Sequence, residues 1–365
     1  MSPRKPAATP APRLDLSGAG VRHARALQGP APIAAPHPGE PGAIDPWMAL
    51  LAALGLDPHA LWPAAVALDF VGDQWTPFAA PHDELRALYG IDVCALSAWR
   101  PLAEHAIEHL GAGRPLRVDV DAFWLPDTEG TTYRQDHSKT TIMLDEVDLD
   151  ARRIGYFHGV GHHQARGDDV THLLGLEDDA SDLEAIADWR GARVAEVGAA
   201  AVALAEGQLA PHAEIVRLDR RLARSTEELR MLALHHLGNH LAFRPATNPV
   251  RRFAERLADD LPLLRDYGPG YAGQWASVTL RRLVAACGFA ARGLAWQEAA
   301  AGSPMLAAAG AFERIARDGG ALDAKLARAV ASTKGIGLAP LLEGVAIAWD
   351  DGMTALEAAC RSCGR

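Results

Sequence analysis

The 365-residue chain has little cysteine and no long apolar run, and each shortage excludes a class of protein. Its four cysteines are too few for a secreted scaffold built on disulfides, which favours a reducing, cytoplasmic location. No stretch approaches the ~18 consecutive apolar residues of a membrane span, and the basic, proline-rich residues 1–13 lack the apolar centre of a signal peptide. We therefore expect a cytoplasmic protein without a membrane partner.

Positive charge is also scarce. The chain has 36 Lys plus Arg against 46 Asp plus Glu, a formal net charge of −10. A general nucleic-acid binder normally has a basic excess, so we expect no nucleic-acid partner. Only four of the basic residues are lysines, and the guanidinium groups that supply the rest are suited to paired recognition of phosphate or carboxylate.

The patterns along the chain predict three regions. Residues 1–40 are rich in Pro, Ala and Gly and predict a disordered arm. Residues 41–170 combine short helices with three strands, at 116–123, 140–144 and 154–157, and the last two strands are predicted to be joined by an acidic loop. Residues 171–365 are predicted to be helical nearly throughout. The fold class expected is α+β, a small antiparallel sheet followed by a mainly helical domain.

Two histidines lie at the ends of predicted strands. His137 comes just before one strand and His158 ends the strand predicted to pair with it. Papain-like hydrolases and transferases keep their general base in such a place. The alternative is a solvated histidine at a strand end, and spacing alone does not decide between them.

A long central block carries a resemblance to a known family. It comprises residues 119–134, His137, residues 139–142 and the segment Gly155-Tyr156-Phe157-His158, with further matches at residues 53–58, 72–76, 88–93 and 99–102 and at residues 239–249. In these segments the chain resembles a bacterial family known only as a domain of unknown function, whose genes tend to lie beside amino acid:carrier-protein ligases. More distantly, the block resembles the papain-like fold of bacteriocin-processing peptidases and of an acyltransferase that takes an aminoacyl group from a carrier protein.

This resemblance implies a degenerate papain-like module that transfers an acyl or aminoacyl group. The donor would be the phosphopantetheine thioester of a carrier protein, the acceptor a small amine, and the chain itself would need no intrinsic cofactor or metal. His137 and His158 would be catalytic. The matching motifs also suggest substrate-binding roles for Asp121, Tyr133, Gln74 and Trp75.

The chain departs from the family at the expected nucleophile. Gly42 stands where relatives carry cysteine, and Gly159 stands where they carry the asparagine that orients the base, so we expect His137 to lack both partners. Cys94 is predicted to be a buried thiol in a helix or turn. Two explanations stay open: direct aminolysis of the thioester with His137 as base, or a pseudoenzyme that binds a carrier protein or its cargo without turnover.

Other clusters allow further interpretations. Nine arginines against four acidic residues give residues 217–256 a local charge of +5. This patch could dock an acidic carrier protein, or it could be a helix face neutralised by nearby acids. The docking candidates are Arg220, Arg221, Arg224, Arg251 and Arg252.

Histidines 158, 162, 163 and 172, with Asp168 and Asp169, could hold a metal, although solvated loop histidines are the commoner case. His236 and His240 have the spacing of a zinc-protease helix without its glutamate, which predicts an ordinary helix face. Cys360 and Cys363 have redox-motif spacing without a redox-motif context, which predicts a reduced pair.

Overall fold

The computed structural model describes residues 23–27, 46–76, 79–97, 102–159, 161–176, 212–218, 221–298, 303–332 and 337–363. The chain forms two compact units that alternate along the sequence. One comprises Met1–Ala35 and Gly90–Arg221, and the other comprises Pro36–Tyr89 and Leu222–Arg365. We call them the sheet unit and the helical unit.

The sheet unit contains a seven-stranded antiparallel sheet. Its strands are β1 (His23–Arg25), β4 (Asp92–Ala95), β5 (Leu116–Asp121), β6 (Lys139–Asp148), β7 (Arg153–His158), β8 (Gly161–Arg166) and β9 (Ala213–Arg217). They lie in the order β4-β9-β5-β6-β7-β8, and β1 pairs with the far end of β6. Among the described residues of this unit, two helices, α4 (Leu102–Gly111) and α5 (Asp168–Leu174), accompany the sheet.

The alternation along β5 gives the sheet two different faces. Leu116, Val118 and Val120 point into an apolar core that also contains residues of α4 and α5. Asp119 and Asp121 point the opposite way, because successive side chains of a strand lie on opposite faces. The predicted strand at 116–123 is therefore present, although it ends at Asp121, where a 3-10 turn, Ala122–Trp124, begins.

The sheet is larger than the sequence predicted. The expected acidic loop between two short strands is wrong, because Asp145, Glu146 and Asp148 all lie within β6. A bulge between Leu144 and Glu146 places the Asp145 side chain in a fully buried position. Strands β4, β8 and β9 were not predicted, and β1 lies within the arm expected to be disordered.

The helical unit contains eight helices among the described residues, and a two-stranded hairpin. The helices are α1 (Trp47–Ala53), α2 (Trp62–Ala65), α3 (His82–Tyr89), α6 (Thr226–Ala242), α7 (Pro249–Val278), α8 (Leu280–Gln297), α9 (Pro304–Ala331) and α10 (Ala339–Cys363). A 3-10 turn, Pro58–Leu61, precedes α2, and the hairpin pairs β2 (Phe70–Val71) with β3 (Gln74–Trp75).

Local sequence signals account for several helix starts. Ser225 and Glu228 form a capping box, in which each side chain bonds the backbone of the other, and Asn248 caps α7 ahead of Pro249. Helices α8 and α9 pack together closely. Gly293 of α8 lies against Trp62 so tightly that an added Cβ would stand 2.0 Å from the Trp62 Cβ.

The spatial grouping differs from the sequential domains expected at 41–170 and 171–365. Helices α1 to α3 belong to the unit of the C-terminal helices rather than to the sheet. The physical reason is their composition: Trp47, Leu50 and Leu51 of α1 are almost fully buried apolar side chains, and α2 packs on α6 and α8. Among the described residues, no helix is long and apolar enough to cross a lipid bilayer.

Candidate active site

His137 and Asp121 form a hydrogen-bonded pair in the sheet unit, where β5 ends and β6 begins. The two atoms His137 Nδ1 and Asp121 Oδ2 are 2.6 Å apart. The strand register brings them together, because Asp121 lies opposite Lys139, two residues after His137. The His137 ring also stacks on Phe123, with centroids 4.2 Å apart and planes 10° from parallel.

The Asp121 carboxylate is itself held in place. Its Oδ1 accepts the backbone N–H groups of Phe123 at 3.0 Å and Ser138 at 3.1 Å. An ionised carboxylate can only accept, so the proton of the bond to His137 must lie on Nδ1. In the neutral ring the lone pair is then on Nε2, which has no partner among the described residues.

This pairing corrects the expectation that His137 has no orienting partner. Gly159, which stands where the family carries the orienting asparagine, lies in the turn after β7, and its φ is +56°. The orienting group comes instead from Asp121, a residue that the sequence suggested for substrate binding. Its side chain is 8% exposed, whereas that of His137 is 31% exposed, so the carboxylate is covered and the base is accessible.

His158 belongs to a separate, closed network. Its Nδ1 lies 2.5 Å from Asp127 Oδ2 and its Nε2 lies 2.9 Å from Thr140 Oγ1, so both ring nitrogens are occupied. Tyr156 donates its hydroxyl to the other Asp127 oxygen at 2.6 Å. Burial alone would raise the pKa of Asp127, but the hydrogen bonds from His158 and Tyr156 outweigh it and lower that pKa.

The two predicted catalytic histidines are held by different carboxylates, His137 by Asp121 and His158 by Asp127. Thr140, which contacts His158, is opposite the core residue Val120, while Asp121, which holds His137, points to the other face. No contact joins His137 to His158 among the described residues. His158 is therefore placed to stabilise the fold, and His137 is the accessible imidazole.

The other clustered histidines also have individual partners. His162 Nε2 lies 2.8 Å from Oδ1 of the buried Asp145. His163 lies beside the Tyr156 ring, and burial lowers its pKa. These residues form strand β8 rather than the expected polar loop. In the part of the chain that the structure describes, no three His, Cys, Asp or Glu side chains form a group that could hold a metal.

Tyr133 and Arg134 form a second polar pair on the loop that carries His137. Both donate to the buried Asp169, Tyr133 Oη at 3.0 Å and Arg134 Nη2 at 2.6 Å. The Arg134 guanidinium lies 4.3 Å from the centre of the Trp124 ring. Tyr133, suggested for substrate binding, thus orients a carboxylate that in turn holds an arginine.

The other two residues suggested for substrate binding belong to the helical unit. Trp75 is 1% exposed and packs between Phe70 and Phe253, so it is a core side chain. Gln74 is exposed on the same hairpin. Their substrate-binding role stays a prediction.

Most of the predicted docking arginines have internal partners. Arg224 donates to the carbonyls of Ala87 and Leu88. Arg251 pairs with Glu343 and Asp350, and Arg252 bonds Asp69 and the Phe70 carbonyl. Arg221 is exposed, and Arg220 lies outside the described residues. For Arg224, Arg251 and Arg252 the geometry favours the neutralised helix face over a free docking patch.

The cysteines do not supply a thiol beside His137 among the described residues. Cys94 is an exposed residue of β4, with Asp92 3.9 Å from its Sγ, which corrects the expected buried position in a helix or turn. Cys287 is fully buried in α8, and burial raises the pKa of its thiol. Cys360 forms no disulfide among the described residues, and Gly42 and the Cys363 side chain lie outside them.

Two segments of the chain match the domains of one protein family. Residues 38–189 match the DUF1839 N-terminal domain, and residues 226–358 match the DUF1839 C-terminal domain. The chain belongs to the DUF1839 family. This confirms membership of a domain-of-unknown-function family, as the resemblance suggested. No curated protein sequence matches the chain.

The DUF1839 segments relate to the two spatial units in different ways. The N-terminal segment includes helices α1 to α3 and the sheet from β4 to β8, so it contributes to both units. The C-terminal segment lies wholly within the helical unit. The residues of the His137–Asp121 pair and of the Arg134–Asp169 pair all lie in the DUF1839 N-terminal segment.

Sequence reasoning found His137 but missed how it is held. It assigned no site role to Asp127, Arg134 and Asp145, and it named Asp169 only as a possible metal ligand. Asp127 and Arg134 had a detectable signal, because both lie in the long block of family resemblance at residues 119–134. The three carboxylates could be assigned to their partners only from the tertiary structure, because each contacts a residue of a distant segment.

Proposed function

We propose that this protein is an aminoacyl or acyl transferase that uses His137 as a general base. The observation that carries the proposal is the His137–Asp121 pair, with its 2.6 Å bond and its carboxylate fixed by two backbone amides. General bases are commonly oriented in this way by a group that is itself held. The distant resemblance to papain-like acyltransferases supports the choice of reaction.

The proposed reaction is direct aminolysis of a carrier-protein thioester. His137 Nε2 takes a proton from the acceptor amine as its nitrogen attacks the thioester carbonyl. A C–N bond forms, the C–S bond breaks, and the phosphopantetheine sulfur leaves with the electron pair. The proton on Nε2 then passes to that sulfur, so the products are an amide and a free thiol. Gly42, in the expected nucleophile position, is consistent with a reaction that has no covalent enzyme intermediate.

The carrier protein is proposed from the resemblance and from charge. Arg224, Arg251 and Arg252 have internal partners, so we no longer include them in the proposed docking contact. The remaining candidates are Arg221 and Arg220, of which Arg220 is proposed from the sequence alone. His158 is proposed to act only through the fold, since both of its ring nitrogens are bonded. This revises the catalytic role that the resemblance implied.

The test is a transfer assay with a loaded carrier protein. A phosphopantetheine carrier protein bearing a labelled aminoacyl thioester is mixed with the full chain and a panel of amines, and amide and free thiol are measured. We expect transfer by the wild-type chain and a loss of about 10²- to 10⁴-fold in His137→Gln, the usual contribution of a general base.

The control is His212→Gln, because His212 is an exposed histidine of the same unit, 3.8 Å from Glu214. It should transfer at the wild-type rate. Equal rates for wild type and His137→Gln would contradict the proposal. Binding of the loaded carrier protein without amide formation for any amine would favour the alternative, a non-catalytic carrier-protein or cargo-binding protein.

A further inference from the structure

Arg134 is held in an unusual conformation beside the proposed base. Its φ of +56° lies in the left-handed region, which is unfavourable for residues other than glycine. Its backbone N–H donates to the Phe123 carbonyl at 3.0 Å, which fixes the turn. A strained residue held by the surrounding structure is a reason to look for a function.

The Arg134 side chain is fixed but not saturated. One nitrogen, Nη2, is bonded to Asp169, and the plane of the guanidinium is supported by Trp124. The side chain is 42% exposed, and Nε and Nη1 have no partner among the described residues. A guanidinium has five N–H donors, so several remain available to a ligand.

The Phe123 ring lies close to both Arg134 and His137. The centre of the Phe123 ring is 4.2 Å from the centre of the His137 ring and 5.9 Å from the Arg134 Cζ. The imidazole and the guanidinium are therefore no more than about 10 Å apart. Within this limit an α-amino acid can contact both groups, because its carboxylate bonds arginine at about 2.8 Å and its amine is only two carbon atoms further on.

Charge selects the kind of anion. Asp169 is 6% exposed and neutralises Arg134, so the pair has no net charge. A phosphate dianion would be repelled by the Asp169 carboxylate. A ligand carboxylate carries a single negative charge, so Asp169 repels it less, and its planar shape matches the donor geometry of arginine.

We propose that Arg134 binds the carboxylate of an α-amino-acid acceptor whose amine faces His137. This inference rests on the proposed function for the role of the acceptor, while the carboxylate site itself can be tested without transfer. Tyr133 and Asp169 are positioning residues for Arg134, and Phe123 lies close to both Arg134 and His137.

The experiment measures binding to the purified full chain by calorimetry with glycine, methylamine and inorganic phosphate. We expect glycine to bind at least tenfold more tightly than methylamine or phosphate, and Arg134→Gln to lose at least tenfold in glycine affinity. Arg134→Lys keeps the positive charge but lacks the planar guanidinium, so it should also lose most of the affinity for glycine. The matched control is Arg152→Gln, because Arg152 is an exposed arginine that also has a positive φ.

Equal affinities for glycine and methylamine, tighter binding of phosphate, or equal losses in Arg134→Gln and Arg152→Gln would each overturn the inference. So would an absence of glycine binding. The wild-type comparison needs no variant, so a misfolded substitution cannot decide the result. Glycine binding that depends on Arg134, in a chain that transfers nothing, would retain the carboxylate site and reject the proposed reaction.

Discussion

The substitution Asp121→Asn should remove the base while keeping the turn. The carbonyl of the new amide side chain could still accept from the backbone N–H groups of Phe123 and Ser138, but its NH₂ group would face His137 Nδ1. Two donors cannot bond each other, so the ring would have to present a lone pair at Nδ1 and carry its proton on Nε2. The atom proposed to accept the proton of the amine would then be occupied.

The structure gives the size of both effects. Transfer should fall by about 10²- to 10⁴-fold, the range for a lost general base. Stability should fall much less, because a charge-assisted hydrogen bond, worth about 1.5–3 kcal/mol, becomes an ordinary one worth about 0.5–1.5 kcal/mol. We therefore expect a loss of about 1 kcal/mol in the free energy of unfolding, measured by urea denaturation.

Asp119→Asn is the matched control for this substitution. Asp119 lies on the same face of β5, is similarly buried, and holds Thr141 at 2.7 Å and Lys139 at 2.6 Å, but it contacts no histidine among the described residues. It should lose stability without losing transfer. The reasoning would be refuted if Asp121→Asn kept the wild-type rate, or if the two variants lost rate equally.

Two further predictions concern the fold. Gly293→Ala should destabilise the protein by about 1–3 kcal/mol, because the added methyl group would overlap Trp62. Gly310→Ala in α9 should stabilise the protein by about 0.5–1 kcal/mol, because the space around Gly310 is open. Urea denaturation measures both changes, and the opposite signs would contradict the packing described. The second prediction concerns Asp127, whose pKa is lowered in the folded state. This shift stabilises the folded state above the ordinary carboxyl pKa of about 4, and the stabilisation is lost as the pH falls through the lower pKa of the folded state. The variant Asp127→Asn should therefore show a smaller fall in melting temperature between about pH 5 and pH 2 than the wild type does. An unchanged slope would show that the bond to His158 does not control this titration.

Local patterns predicted the parts of the fold that depend on near neighbours. The strand predicted at 116–123 is β5, which ends at Asp121, and the local caps at Ser225 and Asn248 mark the starts of α6 and α7. These signals act over a few residues and need no tertiary partner.

Features that depend on distant segments were missed or misplaced. Strand β9 lies between β4 and β5 although almost a hundred residues separate it from β5 in sequence, and β8 was taken for a polar loop because of its two histidines. Each of those histidines is explained by a partner on another element. The grouping of α1 to α3 with the C-terminal helices is likewise a matter of packing between distant segments.

The site shows the same division. The position of His137 before a strand was visible in the sequence, and so was the polar face of β5. Their connection was not, because it depends on the register that sets Asp121 opposite Lys139. A shift of one residue would turn Asp121 into the core and leave His137 without its partner.

The central claim is that Asp121 holds His137 with Nε2 available as a proton acceptor, and its most direct test is the tautomer of His137. Long-range ¹H–¹⁵N correlation spectra of the full chain at alkaline pH distinguish a protonated Nδ1 from a protonated Nε2, and His137→Gln assigns the signals. We predict the proton on Nδ1 and a bare Nε2. A proton on Nε2, or a ring that exchanges between both forms as a free imidazole does, would contradict the account.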